Sequence, residues 1–158
     1  MLIKMFENNI YIKDTKKYGK SIFAKRGFKK NETVFVVFGP ITKKPSMYTV
    51  PIGFELYIDP LPPVKYLCHS CNPSCGIKNR NEVVAMRNIK KDEEITIDYA
   101  MIVPNYAPEL LKLANMSKKD LKCKCGSKNC RGEFGSYETL PKKLKTKYKG
   151  YVSDYLTN

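Results

Sequence analysis

Cys68-His69-Ser70-Cys71-Asn72-Pro73-Ser74-Cys75 packs three of six cysteines and the only histidine of a 158-residue chain into eight positions. Soft ligands at this density raise four readings: a metal site, a nucleophile, a disulfide framework, or buried packing thiols. A self-contained metal site is sterically awkward, because Cys68 and His69 are adjacent. A Cys–His nucleophile lacks a nearby group to orient His69, and such pairs come from distant segments. The decision therefore rests on the rest of the chain.

A second cluster, Cys123-Lys124-Cys125-Gly126-Ser127-Lys128-Asn129-Cys130, has C-x-C-x4-C spacing. Two thiolates one residue apart can converge on one ion, and Gly126 lets the chain turn so that the third returns. The fourth ligand of a tetrahedral site must come from elsewhere, and Cys68, His69, Cys71 and Cys75 are all on offer. Zinc suits a cysteine-rich tetrahedral site best.

The surroundings fit that chemistry. A hydrophobic fraction of 42% is enough for a core, and 158 residues suit one domain of ordinary size. No run is long and apolar enough to span a bilayer, and Met1–Asp14 lacks the pattern of a signal peptide, so an intracellular, reducing compartment and no membrane partner are expected. There, cysteines serve metals or stay as thiols. The net charge is +14, and residues 118–149 hold eleven Lys or Arg against three acids, a net +8. Such a patch would attract nucleic acid or nucleoprotein without reading sequence, unless it is simply a solvated face.

Hydrophobic patterning reads as mostly β. Short strands are expected at 9–12, 22–24 and 34–38, the last closed by Gly39-Pro40. Six prolines between 40 and 65 forbid a long helix. Further strands are expected at 82–89 and 94–99, and a helix at 106–116 with Pro108 in its first turn. Leu140, Leu144, Tyr148, Val152 and Leu156 fall on one stripe at steps of four, which predicts an amphipathic helix across the end of the sequence despite Gly150.

Taken together, His69-Ser-Cys-Asn-Pro-Ser-Cys75, Glu93-Glu-Ile-Thr-Ile-Asp-Tyr99 and Cys123-x-Cys125-x4-Cys130 resemble a SET-domain protein lysine methyltransferase with a post-SET zinc module, of a compact bacterial type. Tyr18-Gly-Lys-Ser-Ile-Phe-Ala24 resembles the family's G-x-G opening, and Val37-Phe-Gly-Pro-Ile-Thr42 its next strand and turn. The resemblance runs over residues 9–156. It implies a β-clip-like SET fold of small sheets. The core would be 9–100, a helical connector 101–122, the zinc segment 123–132 and a helical tail 133–158.

The resemblance also assigns roles. It implies methyl transfer from S-adenosylmethionine to a protein lysine, on a histone or other nucleic-acid-associated protein. Cys71, Cys123, Cys125 and Cys130 would hold one zinc, leaving Cys68 and Cys75 for packing. Gly19, Lys20, Ser21, Lys65, Cys68, His69 and Tyr99 would contact the cofactor, His69 through its backbone and Lys65 through the cofactor carboxylate. Tyr99 would be the catalytic tyrosine, orienting the amine. Val37, Ile77 and Ile97 would line the lysine channel, and the absence of a hydroxyl at Ile77 or Ile97 would permit di- or trimethylation. Cys68, Ser21, Ser74 and Val37 stand where the family has Asn, Gly, Asn and an aromatic residue. The alternative is a non-catalytic SET-like module that binds protein tails or nucleic acid. A small zinc-ribbon nucleic-acid binder would explain the cysteines and charge but not Glu93–Tyr99.

Overall fold

The computed structural model describes residues 7–158, so residues 1–6 of the segment read above as lacking a signal peptide lie outside the described residues. Among the described residues ten short strands form three sheets. In the first, β1 (Ile10–Thr15), β2 (Gly19–Ala24), β10 (Glu94–Ile97) and β7 (Cys68–His69) lie in the order β1-β2-β10-β7. The second places β3 (Thr33–Val36), β9 (Glu82–Ala85) and β8 (Cys75–Lys78) in the order β3-β9-β8. The third is β4 (Ile41–Thr42), β6 (Leu56–Ile58) and β5 (Val50–Gly53).

All but one of the strand pairings among the described residues are antiparallel. The exception positions the site. β7 and β10 run parallel, with Thr96 opposite Cys68 and Ile97 opposite His69. Two stretches 28 residues apart are thereby laid side by side, and the ladder continues as the Ser70 N–H donates to the Ile97 carbonyl. β10 is a central strand, and Ile95, Thr96 and Ile97 are all buried. The strand is therefore covered on both faces rather than half solvated. Ile22, Val34, Phe35, Val83, Val84, Ile95 and Ile97 fill the core where the sheets meet.

The helical readings divide. α1 (Pro108–Leu113) forms where expected, with proline in its first turn. The predicted 140–156 helix does not. α2 spans only Lys142–Lys147, and the chain reaches a short 3-10 turn at Asp154–Leu156 by a different path. The cause lies at Gly150, whose φ of +84° ends the helical run. Beyond it the chain extends along the second sheet: the Tyr151 carbonyl accepts from the Ile77 N–H, the Ser153 N–H donates to Met101, and the Asp154 N–H donates to Asn79. Leu140 and Tyr148 are buried as the stripe predicted, but against the core of the domain rather than on a continuous helix face.

The passage over β8 is close. A Cβ on Gly76 would lie 2.5 Å from the Tyr151 Cβ and 3.0 Å from its Cγ. Gly76→Ala is expected to displace residues 151–154 and cost about 1–3 kcal/mol, the usual penalty of overpacking. A lowered midpoint in urea unfolding would show it, with new proteolytic cleavage after Gly150.

Candidate active site and metal centre

The four sulfurs of Cys71, Cys123, Cys125 and Cys130 lie within 4.8 Å of one another. Three come from the loop that Gly126 turns, with φ +73°, and the fourth from the segment after β7. Cys71 Sγ and Cys123 Sγ are 3.8 Å apart. The edge of a tetrahedron with metal–sulfur bonds of about 2.3 Å is about 3.8 Å. The donor set fits zinc. Burial raises the Cys71 and Cys123 thiols. At Cys125 burial is outweighed by hydrogen bonds from Ser127 and nearby backbone, which bring the thiol down to about 6 and favour the ligating thiolate. Asn129 anchors the loop, donating from Nδ2 to the Cys71 carbonyl at 3.2 Å.

Behind this cluster stands a network that the sequence reading missed. Asp98 is fully buried at the end of β10. Its carboxylate accepts from Arg131 Nη2 at 2.8 and 2.9 Å, from the Tyr148 hydroxyl at 3.0 Å and from the Ala100 N–H at 3.1 Å. Arg131 follows the last cysteine directly, and its own N–H donates to Cys71 Sγ at 3.4 Å. One ion pair thus ties the cysteine loop to β10, and Tyr148 brings in the segment after α2. The available signal was chemical: an acid inside an apolar strand demands a cation.

His69 fills the gap between network and cysteines. Its Nδ1 accepts from the Tyr99 N–H at 3.1 Å, so Nε2 carries the hydrogen, and Nε2 lies 3.3 Å from Cys71 Sγ. Burial pushes the ring down to about 4, against the pull of Asp98, so it is neutral at pH 7. The imidazole is neither a metal ligand nor a base here. It is a neutral donor toward the Cys71 sulfur.

Tyr99, His69 and Phe134 form an aromatic cluster with centroids 4.9–5.1 Å apart. The Tyr99 hydroxyl donates to the Leu67 carbonyl at 3.1 Å. Burial foremost, then nearby thiol and phenol groups, raises its pKa far above the ordinary phenol value. Its oxygen is therefore an acceptor with a free lone pair and no tendency to ionise.

These residues line one cavity of about 890 Å³. Among the residues singled out from sequence, Lys20, Lys65, Cys68, His69, Ile97, Tyr99, Cys123 and Cys125 line it. Gly19 and Ser21 do not. Alternation along β2 turns Ser21 to the opposite side from Lys20, where its buried hydroxyl donates to Glu94 at 2.6 Å. Val37 and Ile77 are not lining residues either. Both are buried, Val37 where its N–H meets Asn81 and Ile77 opposite Val83 under Tyr151. The channel assignment therefore keeps only Ile97, and the argument on product state loses Ile77. In their place Tyr48, Phe54, Tyr57, Tyr106 and Tyr155 line the cavity. Cys68 is half-buried, with its sulfur 3.4 Å from the Tyr66 carbonyl.

Residues 19–100, just over half the chain, match the SET domain family. An 84-residue stretch is 33% identical to histone-lysine N-methyltransferase ASHR3 of Arabidopsis thaliana, covering 49% of this chain and 14% of that protein. Histone-lysine N-methyltransferase 2D of Homo sapiens is 23% identical over 150 residues, covering 80% of this chain and 2% of that protein. The chain thus spans a small part of these relatives' length. Among solved structures, that of KRYPTONITE in complex with mCHH DNA, H3(1-15) peptide and SAH is similar, with a TM-score of 0.60 at 23% identity over 80% of this chain and 29% of that one. At that identity the likeness is one of fold.

Two outcomes are expected of the metal centre. Purified protein should carry one zinc per chain by elemental analysis, and Cys71→Ser should lose it. Arg131→Met should cost about 3 kcal/mol in chemical unfolding, because Asp98 would be left buried without its cation. That value is the low end for a broken buried pair, since Arg131 itself keeps some contact with water.

Proposed function

The chain belongs to the SET domain family, and on that premise we propose that it is a protein-lysine N-methyltransferase using S-adenosylmethionine. The observation that carries the reading is the convergence of Tyr99, Cys68-His69 and the cysteine loop on one large cavity. The relatives named as histone-lysine methyltransferases, and a similar fold solved with SAH and a histone peptide, support it.

When bound, S-adenosylmethionine supplies an electrophilic methyl group on a sulfonium. The rest falls to the protein. The attacking lysine must lose its proton, and at pH 7 a free amine of pKa near 10.4 costs roughly 4–5 kcal/mol to neutralise. The largely aromatic walls around Tyr99 disfavour the ammonium by desolvation. Tyr99 is no base, since burial keeps its phenol protonated. Its hydroxyl hydrogen is committed to Leu67, so its oxygen accepts an N–H of the amine and aims the nitrogen lone pair. Alignment of this kind is a large part of the rate. Lys20 and Lys65 would meet the carboxylate of the cofactor. Cys71, Cys123, Cys125 and Cys130 would hold zinc, which fixes the loop carrying Phe134 against Tyr99.

A protein bearing the target lysine is the partner, with histones and other nucleic-acid-associated proteins the class to examine first. The lysine-rich 118–149 segment favours sequence-independent contact with nucleic acid or nucleoprotein. Six cysteines with no disulfide among them suit a reducing, intracellular setting. Among the described residues no helix is long and apolar enough to cross a membrane.

The test is calorimetric titration of zinc-loaded protein with S-adenosylhomocysteine, followed by methyl transfer to mixed histones. Micromolar binding is expected, and Tyr99→Phe should lower kcat about 100-fold, the cost of a misaligned reacting group, with little change in cofactor affinity. Absence of binding by zinc-replete protein would overturn the enzyme reading in favour of a non-catalytic binding module.

A further inference from the structure

The turn that carries Tyr99 does not complete itself. Tyr99–Met101 is a single 3-10 turn, begun by Asp98, whose side chain accepts from the Ala100 N–H. Within it the Asp98 carbonyl takes the Met101 N–H, and the Tyr99 carbonyl takes those of Ile102 and Val103. The Met101 and Ile102 carbonyls come next. In a continuing 3-10 turn Met101 would accept from residue 104, but that residue is Pro104, which has no N–H. Ala100, Met101 and Ile102 are buried, where an unpaired carbonyl is costly.

Both missing donors come from the far end of the sequence. The Ser153 N–H donates to the Met101 carbonyl at 2.9 Å, and the Tyr155 hydroxyl donates to the Ile102 carbonyl. The segment that supplies them is itself fixed. The Tyr151 carbonyl accepts from the Ile77 N–H, and the Asp154 N–H donates to the Asn79 carbonyl. Arg80 Nε meets the Asp154 carboxylate at 2.9 Å. Residues 151–155 therefore form a bridge from strand β8 and the β8–β9 connection to the Tyr99 turn. The bridge ends at the cavity, where the Tyr155 ring is a lining residue and stands edge-on to Phe54 at 5.5 Å.

Resting on the methyl-transfer reading above, we propose that Ser153 and Tyr155 are positioning residues that act through Tyr99. Two donors on successive carbonyls clamp the turn, and the clamp keeps the phenol oxygen aimed at the amine. With either bond gone the turn can slide and the oxygen loses its aim. Cys68, His69 and the cysteine loop, which neither residue bonds, stay in place.

A double-mutant cycle with Tyr99→Phe tests this, read in kcat for transfer of labelled methyl from S-adenosylmethionine to mixed histones. Proline suits the φ of −51° at Ser153 and removes its N–H. The hydroxyl lost with it is buried without a partner among the described residues. Ser153→Pro is expected to lower kcat about 10-fold, with KM and S-adenosylhomocysteine affinity unchanged. Ser153→Ala, which keeps the N–H, should restore the rate. Tyr155→Phe, which keeps the ring and loses the donor, should match Ser153→Pro. In a Tyr99→Phe background each should cost less than about 2-fold more, because the oxygen they aim is gone. An undiminished loss in that background, or loss of zinc or S-adenosylhomocysteine binding in both variants, would mark a merely structural role and overturn the inference. A wild-type rate in both would overturn it as well. No transfer by wild-type protein would remove the methyl-transfer reading, and this inference with it.

Discussion

A carboxylate with no access to water holds this molecule together. Asp98 could not remain charged in the interior without a cation and further donors. Arg131 supplies the first; Tyr148 and the Ala100 N–H supply the second. These partners come from three stretches of chain, so satisfying one side chain brings together β10, the cysteine loop and the segment after α2. The wall of the cavity that carries Tyr99, Cys123, Cys125 and Tyr155 is built from those three.

The same arrangement explains why Tyr99 and the cysteines, which do different chemistry, sit so close. His69 lies between them with one nitrogen toward each, accepting from the Tyr99 backbone and facing the Cys71 sulfur. Neutrality is what allows both contacts at once. A protonated ring would have no acceptor for the Tyr99 N–H. The imidazole that looks like a ligand in the sequence is the spacer between the cysteine loop and the phenol.

How much of this was legible depends on the range of the interaction. The three motifs, each with fixed local spacing, carried the family resemblance that implied the fold. The cysteine quartet was also within reach once a family pattern named Cys71; spacing alone left four candidates for the fourth ligand. What sequence could not give were contacts across long separations. The Asp98–Arg131 pair spans 33 residues and Asp98–Tyr148 spans 50. Side-chain direction was equally hidden. Lys20 and Ser21 are neighbours, yet strand alternation sends one to the cavity and the other to Glu94. Val37 and Ile77 matched positions in a pattern but point into the core. The long final helix failed for a local reason that periodicity ignores: a stripe of apolar residues is kept, but a left-handed glycine in its middle allows them to reach the core from an extended chain.

That extended passage bears on how the protein is made. Strand β8 borders its sheet, and residues 151–154 are what cover its outer backbone groups. A ribosome releases β8 long before it reaches Tyr151. Through that interval the edge is a free template for pairing with another nascent chain. A message cut short anywhere between Lys78 and Tyr151 would yield a product whose hazard is self-association, a failing separate from any loss of chemistry.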